Sequence, residues 1–344
     1  MASGPVPALA IVPGPTGWTL GAAVLALGLP LLAAVSAPAQ VVERTAAAAE
    51  RPDAGPATVG TVLLAHGGGP EWNAQVEAVA RAARTGGPVQ AAFLMGPGAA
   101  ARPFQDVVAG LASAGVREVV VVPLLVSSHS GHFEQARWLT GGTDSLDAAM
   151  RHHLEMGGLG RPPAGIRLRL APALDDALEM AHVLADRALA LAEDAPREAL
   201  FLVGHGPNSA EDHAAWMANL RRVAGEVRAR TGFRDVKVGL VRDDGPAPVR
   251  AEAVAAIRET IELQHELTGR DVVVVPILIA EGEISRRKLP ADLEGLPIRY
   301  DGRALLPHDG VARWVEARVS EAAAGVAERA GREADAGPEA GGGP

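Results

Sequence analysis

The chain contains no cysteine. This excludes disulfides, thiolate metal sites, iron–sulfur clusters and cysteine nucleophiles together, and leaves histidine, carboxylate or methionine to hold any transition metal. Aromatic residues make up only 3% of the 344 residues, while 48% are hydrophobic, so a sizeable core has to be built mainly from Ala, Val and Leu. The net charge is −9, and no dense Lys/Arg stripe interleaved with aromatics is present to neutralise phosphates. Nucleic acid is therefore not an expected partner. A complete GxGxxG fingerprint with its downstream acid, a GxxxxGK[ST] loop and a GxSxG elbow are also missing. Any ligand site is expected to work without a nucleotide.

The ends of the chain differ from its middle. An apolar run from Trp18 to Val35 is followed by Ala37-Pro38-Ala39, a small-x-small pattern suited to signal cleavage, yet no Lys or Arg precedes Arg44. The run is also about the length of one membrane span. Export, a membrane anchor through this N-terminal segment and a plain Ala/Pro-rich extension are the three readings, with an exported or membrane-anchored location preferred and a cytoplasmic one following if the segment is no signal. Residues 1–39 are thus expected as signal peptide or anchor, 40–57 as linker and 326–344 as a disordered tail.

Between these ends, short aliphatic runs alternate with amphipathic ones, which predicts a helix-covered parallel sheet. Strands are expected at 57–66, 87–95, 117–128 and 166–172. Helices are expected at 73–85, 104–114, about 133–154 and from Leu174 to about Glu193. The pattern then restarts. "ALFLVGHGPN" (199–208) repeats "GTVLLAHGGG", "VKVGLVR" (236–242) repeats the second strand, and "RDVVVVPILIAEGE" (270–283) repeats "REVVVVPLLVSSHSGH". The predicted fold is α/β, with two homologous doubly wound parallel-sheet lobes, 58–195 and 196–325, related by a pseudo-twofold with a cleft between them.

Ligands of open parallel sheets bind at the carboxyl ends of the strands. His66, Met95, His129, His132, Asp175 and Asp176 all fall on that edge of the first half. Two neutral imidazoles from neighbouring loops suit a borderline divalent ion, or proton transfer near neutral pH. A lone histidine at a strand end is more often a cap, so the pairing of His66 with His132 carries the reading; His129 either joins them, supports them or faces solvent. Gly67, Gly68 and Gly69 leave the backbone beside His66 open to close approach. In the second half His205 repeats His66, but Glu281 and Glu283 stand where the first half has imidazoles. Arg286, Arg287 and Lys288 follow the third strand of that half; they read as a solvated charge run or as partners for an anionic ligand.

With these residues in view, "LLAHGGGPEWN" and the stretch from "AAFLMGPG" to "VVVVPLLVSSHSGH" resemble the class II, ATP-independent tetrapyrrole chelatases of the sirohydrochlorin cobaltochelatase and ferrochelatase type. The resemblance covers about 58–325 and is better in the first half. It implies insertion of a divalent metal, cobalt, nickel or iron as substrate, into a sirohydrochlorin-like tetrapyrrole. It implies His66 and His132 as metal ligands or proton acceptors and carries the downstream Asn73 toward the tetrapyrrole; His129, an addition to the pattern, is a further candidate ligand, and Arg286, Arg287 and Lys288 are expected to bind the substrate if it is polyanionic. Met95 departs from the pattern, standing where the family carries a glutamate. Two other functions compete with the enzyme: a tethered or exported metal or tetrapyrrole carrier on the same scaffold, and a catalytically silent partner of a larger complex.

Overall fold

The computed structural model describes residues 59–335, with side chains described through 324. The first half runs β1 (Val59–Ala65), α1 (Pro70–Ala82), β2 (Val89–Phe93), α2 (Gly96–Ala101), α3 (Phe104–Ser113), β3 (Glu118–Leu124), α4 (Gly131–Leu139), α5 (Ala148–Met156), β4 (Arg167–Leu170) and α6 (Leu178–Leu191). The second half runs β5 (Ala199–Gly204), α7 (Ala210–Thr231), β6 (Asp235–Leu240), α8 (Ala247–Thr268), β7 (Val272–Ile277), α9 (Leu289–Asp292), β8 (Ile298–Arg299) and α10 (Asp309–Asp335). The sheets have strand orders β2-β1-β3-β4 and β6-β5-β7-β8, with all pairs parallel. The expected doubled, doubly wound α/β architecture is therefore present.

The residues explain the order. The central strands β3, β5 and β7 are buried at every position, and β1 at all but its first, because unbroken aliphatic runs suit strands covered by helices on both faces. The half-exposed β4, "RLRL", alternates charge with leucine and lies at an edge. One expected helix is two: the segment read as helical over 133–154 breaks between α4 and α5. Gly141 adopts the left-handed φ of 78°, and the Asp147 carboxylate caps α5 by accepting from Ala149 N at 2.9 Å. Arg161 pins the intervening loop, donating to the carbonyls of Trp138 and Thr143 and pairing with Asp144, with its guanidinium over the Trp138 ring.

The last helix of each half packs against the opposite half. Helix α6 lies on α7 and β7, whereas α10 lies on α1, β3 and α6. Gly310 permits the approach of α10 to α6, since a Cβ there would sit 2.7 Å from a methyl of Val183. In consequence one core cluster contains Val62, Leu64 and Val121 of the first sheet together with Leu202, Val275 and Trp314 of the second half. The halves are not separate cores facing each other, as two independent lobes would be; they share one. Helix α10 also runs on to Asp335, past residue 326 where a tail was expected to begin.

The expectation of an exported or membrane-anchored chain is corrected: among the described residues no helix is long and apolar enough to cross a membrane. The apolar run from Trp18 to Val35, on which that expectation rested, lies outside the described residues.

Trp314 is fully buried where the two halves join. Trp314→Ala should cost about 3–5 kcal/mol through lost burial and the cavity left behind. Urea unfolding followed by circular dichroism measures it, and a cost below about 1 kcal/mol would contradict a shared core.

Candidate functional site

The loops after β1 and β3 bring His66 and His132 together. Their rings meet edge to face, with centroids 4.6 Å apart and planes at 86°. Parallel pairing in register from Val59 opposite Glu118 to Ala65 opposite Leu124 sets this meeting, because both strands end at the same level. Each ring is also held by a carbonyl at its inner nitrogen. His66 Nδ1 donates to the Gly67 carbonyl at 2.7 Å. His132 Nδ1 lies 2.9 Å from Gln135 Oε1, and the Gln135 amide donates through Nε2 to the Met150 carbonyl at 2.7 Å. That second bond fixes the amide orientation, so Oε1 must accept and His132 Nδ1 must carry the proton. Both imidazoles therefore present a bare Nε2 lone pair, the form needed to bind a metal ion or take a proton.

Burial and the neighbouring His66 push the His132 pKa down to about 4, with smaller contributions from His153 and His205 and a partial offset from the Gln135 hydrogen bond. His132 thus stays neutral across the physiological range. Gln135 is wholly buried and was not recognised from the sequence; its signal is its place one helical turn after His132, on the same face of α4.

Other residues hold the loops. Asp175, at a left-handed φ of 47°, accepts from Ser128 N at 2.7 Å and Ser128 Oγ at 2.6 Å, clamping the start of the histidine loop. Asn73 Oδ1 accepts from Gly68 N at 2.9 Å, so this side chain braces the loop that carries His66. Gly67 has a φ of 97°, and a Cβ there would lie 2.3 Å from the Met95 carbonyl oxygen. The glycine expected to admit a ligand instead admits the neighbouring loop; among the three, Gly69 is the one with open space around it. His129 is exposed, and its carbonyl accepts from Trp216 Nε1 at 2.5 Å across the two halves.

The basic run lies on a π-turn, Ile284–Lys288, and each cation faces a carboxylate. Arg286 reaches Glu71 and Glu281, each at 3.4 Å, so it bridges the halves. Arg287 pairs with Glu283, and Lys288 Nζ lies 2.5 Å from Asp243 Oδ2.

Glu281 and Glu283, at the positions where the first half has imidazoles, pair with Arg286 and Arg287. The acids beside His205 come from the loop after β6: donor atoms of His205, Asp243 and Asp244 all lie within 4.8 Å of one another. The signal was "VRDDG", directly after a strand already read as the repeat of β2. Burial lowers the His205 pKa, but the hydrogen bond and charge of Asp244, 3.1 Å from Nε2, outweigh it and leave a raised value. Asp244 is correspondingly lowered, chiefly by its hydrogen bond with His205. Two surface cavities of about 400 and 550 Å³, beside Phe133 and Met217, lie away from these residues.

Doubled four-stranded parallel sheets, exchanged terminal helices and paired imidazoles at the strand ends define a two-half, doubly wound α/β protein. Residues 60–191 match the protein-family model described as CbiX. No curated protein matches the chain. The fold is similar to that of SirB from Bacillus subtilis with Fe3+, with a TM-score of 0.52 and 16% identity over 77% of this chain and 95% of that one. The sirohydrochlorin chelatase SirB from Bacillus subtilis subspecies spizizenii in complex with cobalt gives 0.49 and 17%, over 77% and 94%. A CbiX described as the terminal enzyme for biosynthesis of siroheme in denitrifying bacteria gives 0.47 and 18%, over 77% and 99%. The likeness to the CbiX family lies in the first half of the chain, and the solved structures show the same doubled fold across both halves.

The depressed His132 pKa has a consequence for stability. The folded imidazole stays neutral down to about pH 4, whereas an unfolded one titrates near 6.5, so unfolding takes up a proton between these values. Stability is therefore expected to fall as pH drops through that window, by up to about 3 kcal/mol from this group. His132→Gln should remove that part of the slope; an unchanged difference between pH 7 and pH 4 in chemical unfolding would contradict it.

Proposed function

We propose that the chain is an ATP-independent metal chelatase that places cobalt, nickel or iron into a sirohydrochlorin-like tetrapyrrole, with His66 and His132 performing the insertion. The observation that carries this reading is the pair of adjacent imidazoles whose Nδ1 protons are both engaged, leaving two Nε2 lone pairs side by side.

Insertion exchanges one divalent ion for the two inner N–H protons of the macrocycle. The incoming ion sheds water as Nε2 atoms of His66 and His132 take its place, a donor type matched to borderline divalent metals. As pyrrole nitrogens replace the imidazoles, the freed Nε2 atoms are placed to receive the departing protons and pass them to solvent. The low proton affinity of His132 favours the first role for that residue, because no proton competes with the metal at neutral pH. His129, exposed on the same loop, is a further candidate ligand for the arriving ion. Arg286 is the cation best placed for acidic substituents of the substrate, since its two carboxylate partners lie at 3.4 Å and its side chain is over half exposed. Asn73 contributes by bracing the loop that carries His66 rather than by touching the substrate.

Insertion is followed by the absorbance change of sirohydrochlorin with Co(II). His66→Ala and His132→Ala should each reduce the rate by about 10²–10⁴-fold. Activity equal to wild type in the double variant would overturn the proposal. Arg286→Ala should raise KM several-fold with kcat little changed, as expected for loss of a contact made equally in ground and transition states.

One observation favours the carrier reading: Met95 follows β2 where the resembled family carries a glutamate, so the loop at the end of that strand supplies no carboxylate. Stoichiometric binding of metal or porphyrinoid without turnover would select it.

A further inference from the structure

We infer that His205, Asp243 and Asp244 form a second divalent-cation site, at the carboxyl ends of β5 and β6 in the second sheet. Its ligands are borderline transition ions such as Co(II), Ni(II) or Zn(II), which accept mixed imidazole and carboxylate donors.

Three observations converge. First, donor atoms from the three residues already lie within 4.8 Å of one another. An ion about 2.1 Å from each donor holds the donors roughly 3–3.5 Å apart, so the set closes with a small rotation of Asp244, whose side chain is largely exposed.

Second, the tautomer of His205 is set from outside the cluster. Its Nδ1 meets the Gly206 carbonyl at 2.7 Å, the same arrangement that His66 makes with Gly67. The proton on Nδ1 leaves the Nε2 lone pair aimed at an Asp244 oxygen 3.1 Å away. Two electron-rich atoms in that geometry require a cation between them, a proton or a metal ion.

Third, the backbone builds the set. Arg242 has a left-handed φ of 52°, and its side chain donates to the carbonyls of Pro207 and Asn208. The loop after β6 is thereby tied to the loop of His205, turning the two aspartates toward the imidazole. Asp243 is fixed from behind by Arg250 at 3.1 Å, while Lys288 occupies its other oxygen as a cation that an arriving metal exchanges with.

The two sheets also explain why the site lies here. Ala65 pairs with Phe93, and Gly204 with Leu240. The residue two beyond is Met95 in the first half and Arg242 in the second, and the next two are Gly96 and Pro97 against Asp243 and Asp244. The carboxylates missing beside His66 are thus supplied beside His205. Building on the chelatase reading, the second site holds an incoming ion before it passes to the His66–His132 pair.

The test is titration of Co(II) alone into the metal-free full chain, followed by d–d absorbance, without tetrapyrrole. Wild type should take up about two equivalents, His132→Ala and Asp244→Asn about one each, and their combination none that is tight. Asp244→Asn should weaken one equivalent at least tenfold, and because Asp244 is exposed its fold is expected to be intact. His205→Gln, checked by its melting temperature, should do the same. Wild-type stoichiometry and affinity in both Asp244→Asn and His205→Gln would overturn the second site, as would a single equivalent in wild type that His132→Ala abolishes. Absence of turnover with sirohydrochlorin would instead defeat the chelatase reading and leave the cobalt stoichiometry standing.

Discussion

The structure depends on a single packing exchange, the docking of each half's terminal helix on the opposite half. A four-stranded parallel sheet buries both faces, and its helices must cover both. Here α6 leaves the first sheet to lie on α7 and β7, and α10 returns to β3 and α1. Neither half completes its core alone, so the two cannot swing apart without exposing Trp314 and the valines of the sheets. Rigid placement of the two strand-end edges follows from that shared core. It is the condition for two sets of side chains, from loops far apart in sequence, to address one space.

Within that frame the imidazoles are prepared by backbone and amide carbonyls rather than by carboxylates. His66 and His205 each donate to the carbonyl of the following glycine, and His132 donates to Gln135. The result is that each Nε2 points away from its own loop, in different electrostatic settings. His132 is desolvated beside His66 and keeps a neutral ring. His205 faces Asp244 and favours a positive one. Two copies of the same strand-loop unit have thus acquired opposite proton affinities, because the acids follow β6 and are missing after β2.

Much of the fold was legible in the sequence. Aliphatic runs marked the central strands, and the recurrence of "VVVVP" and of "His-Gly" after a strand marked the duplication. The paired histidines were legible for the same reason, since strand ends in parallel sheets gather on one edge. Three features were not. The break between α4 and α5 depends on Gly141 and on Arg161, which reaches back from well downstream. The role of Gln135 depends on Met150, its partner on another helix. The grouping of Asp243 and Asp244 with His205 depends on the left-handed turn at Arg242, and a non-glycine residue at positive φ has no signature in composition or periodicity.

The sequence by itself determined the two sheets, their parallel sense, the absence of thiolate chemistry and the placement of histidines at strand ends, because these follow from local periodicity and residue type. Tertiary structure decided which half covers which core, which nitrogen of each histidine is free, and where the carboxylates meet an imidazole. Those outcomes rest on contacts between residues distant in the chain, where a carbonyl 2.7 Å from one ring nitrogen decides what the other can bind.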